Sequence, residues 1–396
     1  MTMTGYLRSD GGKGIRNLTA VVYLVECAHH VAREAAAPFF DRDVHLLGFP
    51  GCYPNSYAYR MLRQLCTHPN VGAVLLVSLG CEGFNRAQLL EEIRATGRPA
   101  EALVIQQTGG TRSTVARARE WISGALQTLA TTPRGDLAIS DLVVGTICGG
   151  SDATSGITAN PAVGRAFDLL VQNGARVIFE ETGELIGCEQ IMAARAARPD
   201  LAPQLLASVE KAARYYTTMG HGSFAPGNAE GGLTTQEEKS MGAYSKSGSS
   251  PISGILKPGD VPPTGGLYLL DVVPDGEVRW GFPNINDVQE IGELIACGAH
   301  VTLFTTGRGS VAGSAIAPVI KVCANPETYR RMSEDMDVNA GQILEGGGAL
   351  EEVGQEIYNR VLEVAAGAPT ASEALGHREF SLVYKSFEPL GPSCLP

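Results

Sequence analysis

Short apolar runs open the chain at residues 18–25, 44–49, 71–79 and 102–105. The stretches between them, 56–66 and 86–96, and then 112–129, place apolar residues at helical spacing with polar residues between. Buried strands alternating with amphipathic helices predict a parallel α/β sheet. We therefore expect a Rossmann-like α/β domain over residues 1–135. Residues 131–141, with Pro133 and Gly135, read as a linker. A second α/β domain is expected over 136–396. It has strands at 142–148, 176–180, 267–273, 300–305 and 319–322, and helices at 161–173, 189–216 and 287–297, with a helical tail at 326–365. Between these lies a polar, glycine-rich stretch, 220–251, expected to be a long loop of the kind that carries function. Within it Thr234-Thr235-Gln236-Glu237-Glu238 reads as a helix start with acidic residues in the first turn.

Composition narrows the class. With 44% hydrophobic and 18% charged residues, the 396-residue chain is an ordinary globular sequence rather than a disordered one. The formal net charge of −11 argues against nucleic acid or an anionic membrane as the main partner. It leaves room for a small anion held by one or two arginines. The polar N-terminus lacks the apolar core of a signal peptide, and no run approaches the ~18 apolar residues of a membrane span. A cytoplasmic location is expected. The nine cysteines are then thiols. Cys27, Cys66, Cys297 and Cys323 fit buried small hydrophobes. Cys52, Cys81 and Cys148 each adjoin glycine at the end of a strand-like run.

Ligands of open parallel sheets lie at the carboxyl ends of the strands. Those ends carry Gly51-Cys52, Gly80-Cys81-Glu82, residues 106–111, 148–152, Glu180-Glu181 and 305–309. Thiolates suit iron or zinc. Three of them on a four-iron cluster leave one iron open to substrate, and a single ferrous ion held by carboxylate and imidazole does similar Lewis-acid work. Buried structural thiols are the competing reading. Gly149, Gly150, Ser151 and Asp152, followed by a helix opened by Asn160 and Pro161, form a candidate anion cradle of backbone N–H groups. A capped turn without ligand reads equally well, and Asp152 is a ligand, a base or a turn cap. Arg308 between Gly307 and Gly309, and Arg112 after Gly110-Thr111, are placed to hold a carboxylate or sulfonate. Neither loop has the Walker A or dinucleotide pattern. In the 220–251 stretch His221, Asn228, Glu230, Lys239 and Lys246 offer acid, base or ligand groups.

Several of these segments, in this order, resemble the altronate/galactarate dehydratase family. They are Gly5-Tyr6 with Gly14-Ile15-Arg16-Asn17; Gly51-Cys52; HPNVGAVLLVSLGCE from His68; CGGSDATSGITANPAVG from Cys148; PGNAEGGLTTQEEKSMG from Pro226; FTTGRGS from Phe304; and MDVNAG from Met336. The resemblance implies the large-subunit catalytic region of an iron-requiring lyase of sugar acids, with Mn2+ as an alternative ion. It also embraces the large subunit of a sulfolactate sulfo-lyase. It implies a separate small β-rich subunit, a small hydroxy-acid substrate and an oligomeric assembly. In the implied reaction a base removes the proton alpha to the carboxylate and a β-substituent leaves. Water leaves from an altronate- or galactonate-type acid to give a 2-keto-3-deoxy acid, or sulfite leaves from (2R)-sulfolactate to give pyruvate. Cys52, Cys81 and Cys148 are the expected metal ligands. Asp152, Glu82, Lys239 and His221 are the acid–base candidates, and Arg308, Arg112, Ser151, Asn228 and Thr306 the substrate contacts. The competing reading from another class is a non-catalytic subunit whose partner does the chemistry.

Overall fold

The computed structural model describes residues 3–220, 226–275 and 286–385. Among the described residues, fourteen strands form three sheets. β1 (Met3–Leu7) and β2 (Lys13–Gly14) pair antiparallel, as do β1 and β7 (Arg134–Leu137), with Met3 opposite Leu137 and Tyr6 opposite Arg134. The expected linker is thus partly a strand that returns to the start of the chain. β3 (Leu18–Tyr23), β4 (Val44–Gly48), β5 (Val71–Ser78) and β6 (Ala100–Val104) form a parallel sheet of order β4-β3-β5-β6.

The larger sheet is parallel throughout. It contains β8 (Val143–Cys148), β9 (Arg176–Phe179), β10 (Ile252–Leu256), β11 (Gly266–Leu270), β12 (Val301–Thr306), β13 (Val319–Cys323) and β14 (Val338–Asn339), in the order β10-β11-β9-β8-β12-β13-β14. The short edge strands β10 and β14 have no sequence run of their own, and β10 is further interrupted by a register shift at Gly254. Residues 189–216 split into the helices Glu189–Ala194 and Ala202–Met219, because Pro199 falls between them. The expected helical tail is likewise broken by β14 and the turn Ala340–Glu345 before the helix Leu350–Ala365.

Side-chain alternation explains the layers. In the smaller sheet Val21, Val44, Leu75 and Val77 face the helices Glu26–Ala36 and Thr111–Leu129. Ala20, Val22, Leu47, Val74 and Leu76 face the other way, into a core with Tyr57, Met61 and Leu65 of Ser56–Cys66. That core continues through Ile291, Leu294 and Ile295 of the helix Asp287–Ala296 to Ile147 and Phe304 of the larger sheet, so the two parallel sheets share one hydrophobic interior. The opposite face of the larger sheet buries Val144, Val177, Leu303 and Ile320 under Ala159–Gln172, Ala202–Met219 and Leu350–Ala365. Chain order reverses between β8 and β12. In an open parallel sheet the splayed loops beyond such a reversal form a crevice. Among the described residues no helix is long and apolar enough to cross a membrane.

Candidate active site

Cys148 ends β8 at that crevice and is buried. The chain leaving β9 reaches Glu181, which adopts φ 75° and ψ 49°, a left-handed backbone that a side chain tolerates only when its surroundings enforce it. The following 3-10 turn, Thr182–Leu185, brings Glu184 back beside it. Cys148 Sγ lies 3.2 Å from Glu181 Oε1 and 3.1 Å from Glu184 Oε2. Among the described residues, these three make up the one His/Cys/Asp/Glu group of three or more whose ligand atoms all lie within 4.8 Å of one another.

Two lysines close the cluster. The helix Gln236–Ser245 starts at Thr235, whose side chain accepts from Glu238 N, with Glu237 and Glu238 in its first turn. This is the helix start legible in the sequence, and the expected loop is here helical. Lys239 and Lys246 are seven residues apart and share one face of it. Lys239 Nζ lies 2.7 Å from Glu184, 3.1 Å from Cys148 Sγ and 2.9 Å from Ser151 Oγ. Lys246 Nζ pairs with Glu181 Oε2. A Cβ on Gly164 would lie 2.3 Å from the Ser245 carbonyl oxygen, so the helix reaches this position only over a bare glycine of its neighbour.

Burial and the two glutamates push the Cys148 thiol up. Burial and Glu184 also push Glu181 up, whereas Glu184, against the pull of burial, is held low by Lys239 and Lys246. Both lysines stay cationic despite burial because the thiol and carboxylates surround them. Asp287 joins the rim: its Oδ2 lies 3.2 Å from where a Cβ on Gly149 would stand, and burial followed by Glu184 raises it to about 6. Behind the site Glu180 and Glu290 are buried, and burial pushes both carboxyls well above the usual range. Deeper still, Lys385 lies 2.8 Å from Glu293, which also accepts from Tyr57 at 2.5 Å.

The structure separates the other sequence candidates. Cys52 and Cys81 are exposed at the carboxyl end of the smaller sheet and fall outside the group of ligand atoms within 4.8 Å of one another that includes Cys148. Cys27, expected to be buried, is exposed, while Cys66, Cys297 and Cys323 are buried. Glu82 is occupied in its own loop, accepting from Ser78 Oγ and from Gly80 N at 2.8 Å. Asp152 caps its turn, accepting from Thr154 N and Oγ1 at 2.9 and 2.6 Å, and from Asn325 at 2.9 Å. The expected anion cradle is filled from within. Gly149 N donates to Thr305 O, Ser151 N to Asn228 Oδ1, Ala153 N to Gly231 O and Thr154 N to Asp152.

Ser151 and Asn228 therefore stand beside Cys148, with Asn228 positioning the loop. Thr306 donates to Gly150 O at 2.9 Å and accepts from Gly309 N, so its hydroxyl is taken up by the fold. Arg308 sits at the rim, donating to Gly227 O and lying 3.5 Å from Glu230. Arg112 is exposed on Thr111–Leu129, a helix of the smaller sheet. His221 lies outside the described residues. Sequence reasoning offered Lys246 as an acid, base or ligand group, noted Glu180 and Glu181 without assigning them a role, and passed over Glu184, Asp287 and Glu290. The repeat of Glu at 181 and 184, just beyond a strand, was the available signal.

Residues 139–387 match the family model described as the C-terminal region of D-galactarate/altronate dehydratase, and residues 5–130 match the second domain of D-galactarate dehydratase/altronate hydrolase. The chain belongs to the altronate/galactarate dehydratase family. Among relatives, it is 36% identical to the (2R)-sulfolactate sulfo-lyase subunit beta of Chromohalobacter salexigens, over 96% of this chain and 97% of that one. It is 31% identical to the altronate dehydratase of Bacillus subtilis, over 97% of this chain and 78% of the relative. Against the galactarate dehydratase (L-threo-forming) of Escherichia coli it is 33% identical, over 92% and 73%. Membership makes the protein a lyase. In family terms the CGGSD segment supplies Cys148 and Ser151, and the TTQEEKSMG segment supplies Lys239. The thiol and two carboxylates are a possible metal-binding group, of a mixed sulfur and oxygen character that fits a borderline divalent ion.

Proposed function

We propose that this lyase eliminates water from a sugar acid of the altronate or galactonate type, giving a 2-keto-3-deoxy acid, at the Cys148–Glu181–Glu184 cluster. The observation that carries the reading is the convergence of that cluster with Lys239 and Lys246 at the carboxyl end of β8. Cys148, Glu181 and Glu184 would hold one divalent ion, Fe2+ or else Mn2+; the donor set supports a single ion rather than a cluster. Bound there, such an ion supplies Lewis-acid stabilisation of negative charge on substrate oxygens.

The rest is work for the chain's own side chains. Lys239, cationic and 2.9 Å from Ser151, binds the substrate carboxylate, on which charge grows as the alpha proton is lost. Asp287, raised to about 6, is ionised at neutral pH yet basic enough to accept that proton. The electron pair then forms the C=C bond as the β-hydroxide departs. The enol takes a proton at the beta carbon to become the 2-oxo acid. Arg308 at the rim holds the distal end of the substrate. Asp152, Glu82 and Thr306 position loops instead of touching substrate.

Desulfonation of (2R)-sulfolactate is the second reading, favoured by the end-to-end likeness to the sulfo-lyase subunit. Sulfite needs less acid assistance to leave than hydroxide. That reading brings a partner subunit, since the relative is named as subunit beta of its enzyme, and a small β-rich chain is the form we propose for it. Anaerobically purified protein, supplied with Fe2+ and with any small subunit encoded beside it, is assayed in parallel. Formation of a 2-oxo acid from altronate or galactonate supports dehydration, and sulfite with pyruvate from sulfolactate supports the second reading. Turnover undiminished in Glu184→Gln would refute the assignment of the site.

A further inference from the structure

A second cavity, of about 600 Å3, runs along β4, the edge strand of the smaller sheet, and takes none of its walls from the Cys148 cluster. Its volume is in the range of small-molecule sites. Phe40, Leu46, Leu47 and Phe380 give it an apolar side, and Arg33 and Arg378 a cationic one. Asp41 is the single carboxylate on its wall. Arg378 has no carboxylate partner among the described residues and donates from Nη1 to the Phe40 carbonyl. A guanidinium of this kind is suited to binding a carboxylate.

His45 lines this cavity and a smaller one beside it, of about 70 Å3. The ring is 8% exposed. Its Nδ1 lies 2.5 Å from the Ala315 carbonyl and so carries the proton that bond requires. The other nitrogen, Nε2, is then a lone-pair acceptor, and it is buried without a hydrogen-bond partner. Burial and Arg378 push the ring down to about 4, which keeps it an acceptor at neutral pH. A buried acceptor left unmet is unfavourable, and a donor brought by a ligand relieves it.

We infer that the β4 cavity binds a small organic anion with an apolar body and a hydroxyl group. Its carboxylate rests on Arg378 and Arg33, its body lies between Leu46 and Phe380, and its hydroxyl donates to His45 Nε2, an atom that lies out of solvent reach, so that binding must part the side chains over it. This site is separate from the proposed lyase chemistry, and its test does not depend on turnover.

The probe is 8-anilinonaphthalene-1-sulfonate, titrated into the full chain by fluorescence and displaced with 4-hydroxycinnamate, cinnamate or cinnamamide. Saturable 1:1 binding is expected, with displacement constants rising in that order and the amide at least about tenfold weaker than either acid. Arg378→Gln, a part-exposed position whose change does not open the core, should abolish the preference for acid over amide. His45→Phe should abolish the preference for 4-hydroxycinnamate over cinnamate and leave the acid–amide difference in place. Equal displacement by all three compounds would overturn the inference. So would an acid preference unchanged in Arg378→Gln, or no saturable binding to the wild-type chain, the result expected if a second copy of the chain covers the cavity.

Discussion

At the carboxyl end of the smaller parallel sheet, Cys52 and Cys81 lie exposed, and the nearby Glu82 is tied into its own loop by Ser78 and Gly80. At the same end of the larger sheet, Cys148 is buried among two glutamates and two lysines. Both edges obey one rule of parallel-sheet architecture, and both present cysteine beside glycine. They differ in what covers them. The larger sheet has a helix, Gln236–Ser245, laid across its crevice, which excludes water and delivers two cations. The smaller sheet is met at this end by the terminal segment, where Tyr384 donates to Tyr53 O and Lys385 O accepts from Asn55, and Cys52 and Cys81 stay exposed beside it. A strand end becomes a reactive site when a second element desolvates it, because charges interact strongly only where water is excluded.

The contrast is open to direct attack. Cys148→Ala should remove a ligand and the thiol beside Lys239, lowering turnover by about 10³-fold and reducing bound divalent metal, measured by elemental analysis of dialysed protein. Retained metal and turnover would erase the distinction between the two edges. Lys385→Met leaves Glu293 buried without its cation, and breaking a buried pair costs about 3–5 kcal/mol. Urea unfolding should report that loss as a lower midpoint. Because the sheets share a core, it should appear as one transition; two separated transitions would mean that the sheets are independent.

His45 on β4 and His300 beside β12 give a pH handle on each region. Burial lowers both to about 4, so each is neutral when folded but takes up a proton near 6.5 when unfolded. Their contribution is fully present above pH ~6.5 and is lost as pH falls towards 4, by on the order of 3 kcal/mol each. Urea midpoints measured across that window should decline, and His300→Gln should flatten the decline. The smallest effect belongs to Cys52→Ser/Cys81→Ser, with turnover and metal content expected within about twofold of wild type. A large loss there would restore the three-thiolate arrangement and undo the comparison.

The parallel sheets were legible because their central strands are unbroken apolar runs. Residues 71–78 are buried at every position, and the helix Ser56–Cys66 fell where its spacing put it. β1, β2, β7, β10 and β14 were not read, since strands of two to five residues, most of them at sheet edges, are specified by their neighbours instead of by a run. Cys148, Ser151 and Lys239 stood out as chemistry-bearing residues at a strand end and in a polar stretch. Glu184 did not, because the spacing of Glu181 and Glu184 beyond a strand is only a weak signal until the backbone reversal at Glu181 turns both carboxylates to one point. Cys52 and Cys81 shared the local signature of Cys148 and lacked its surroundings.

Glu181 carries a consequence for how the chain withstands heat. An L-residue held left-handed stores about 1–2 kcal/mol, which Gly at this position would release, since glycine accepts that backbone freely. Glu181→Gly would nevertheless leave Lys246 buried without its counter-charge, a cost of about 3–5 kcal/mol that outweighs the strain released, so the variant should resist heat less well. The strained backbone is thus carried by the ion pair it makes possible, and firmness of the fold and placement of the carboxylate depend on the same side chain.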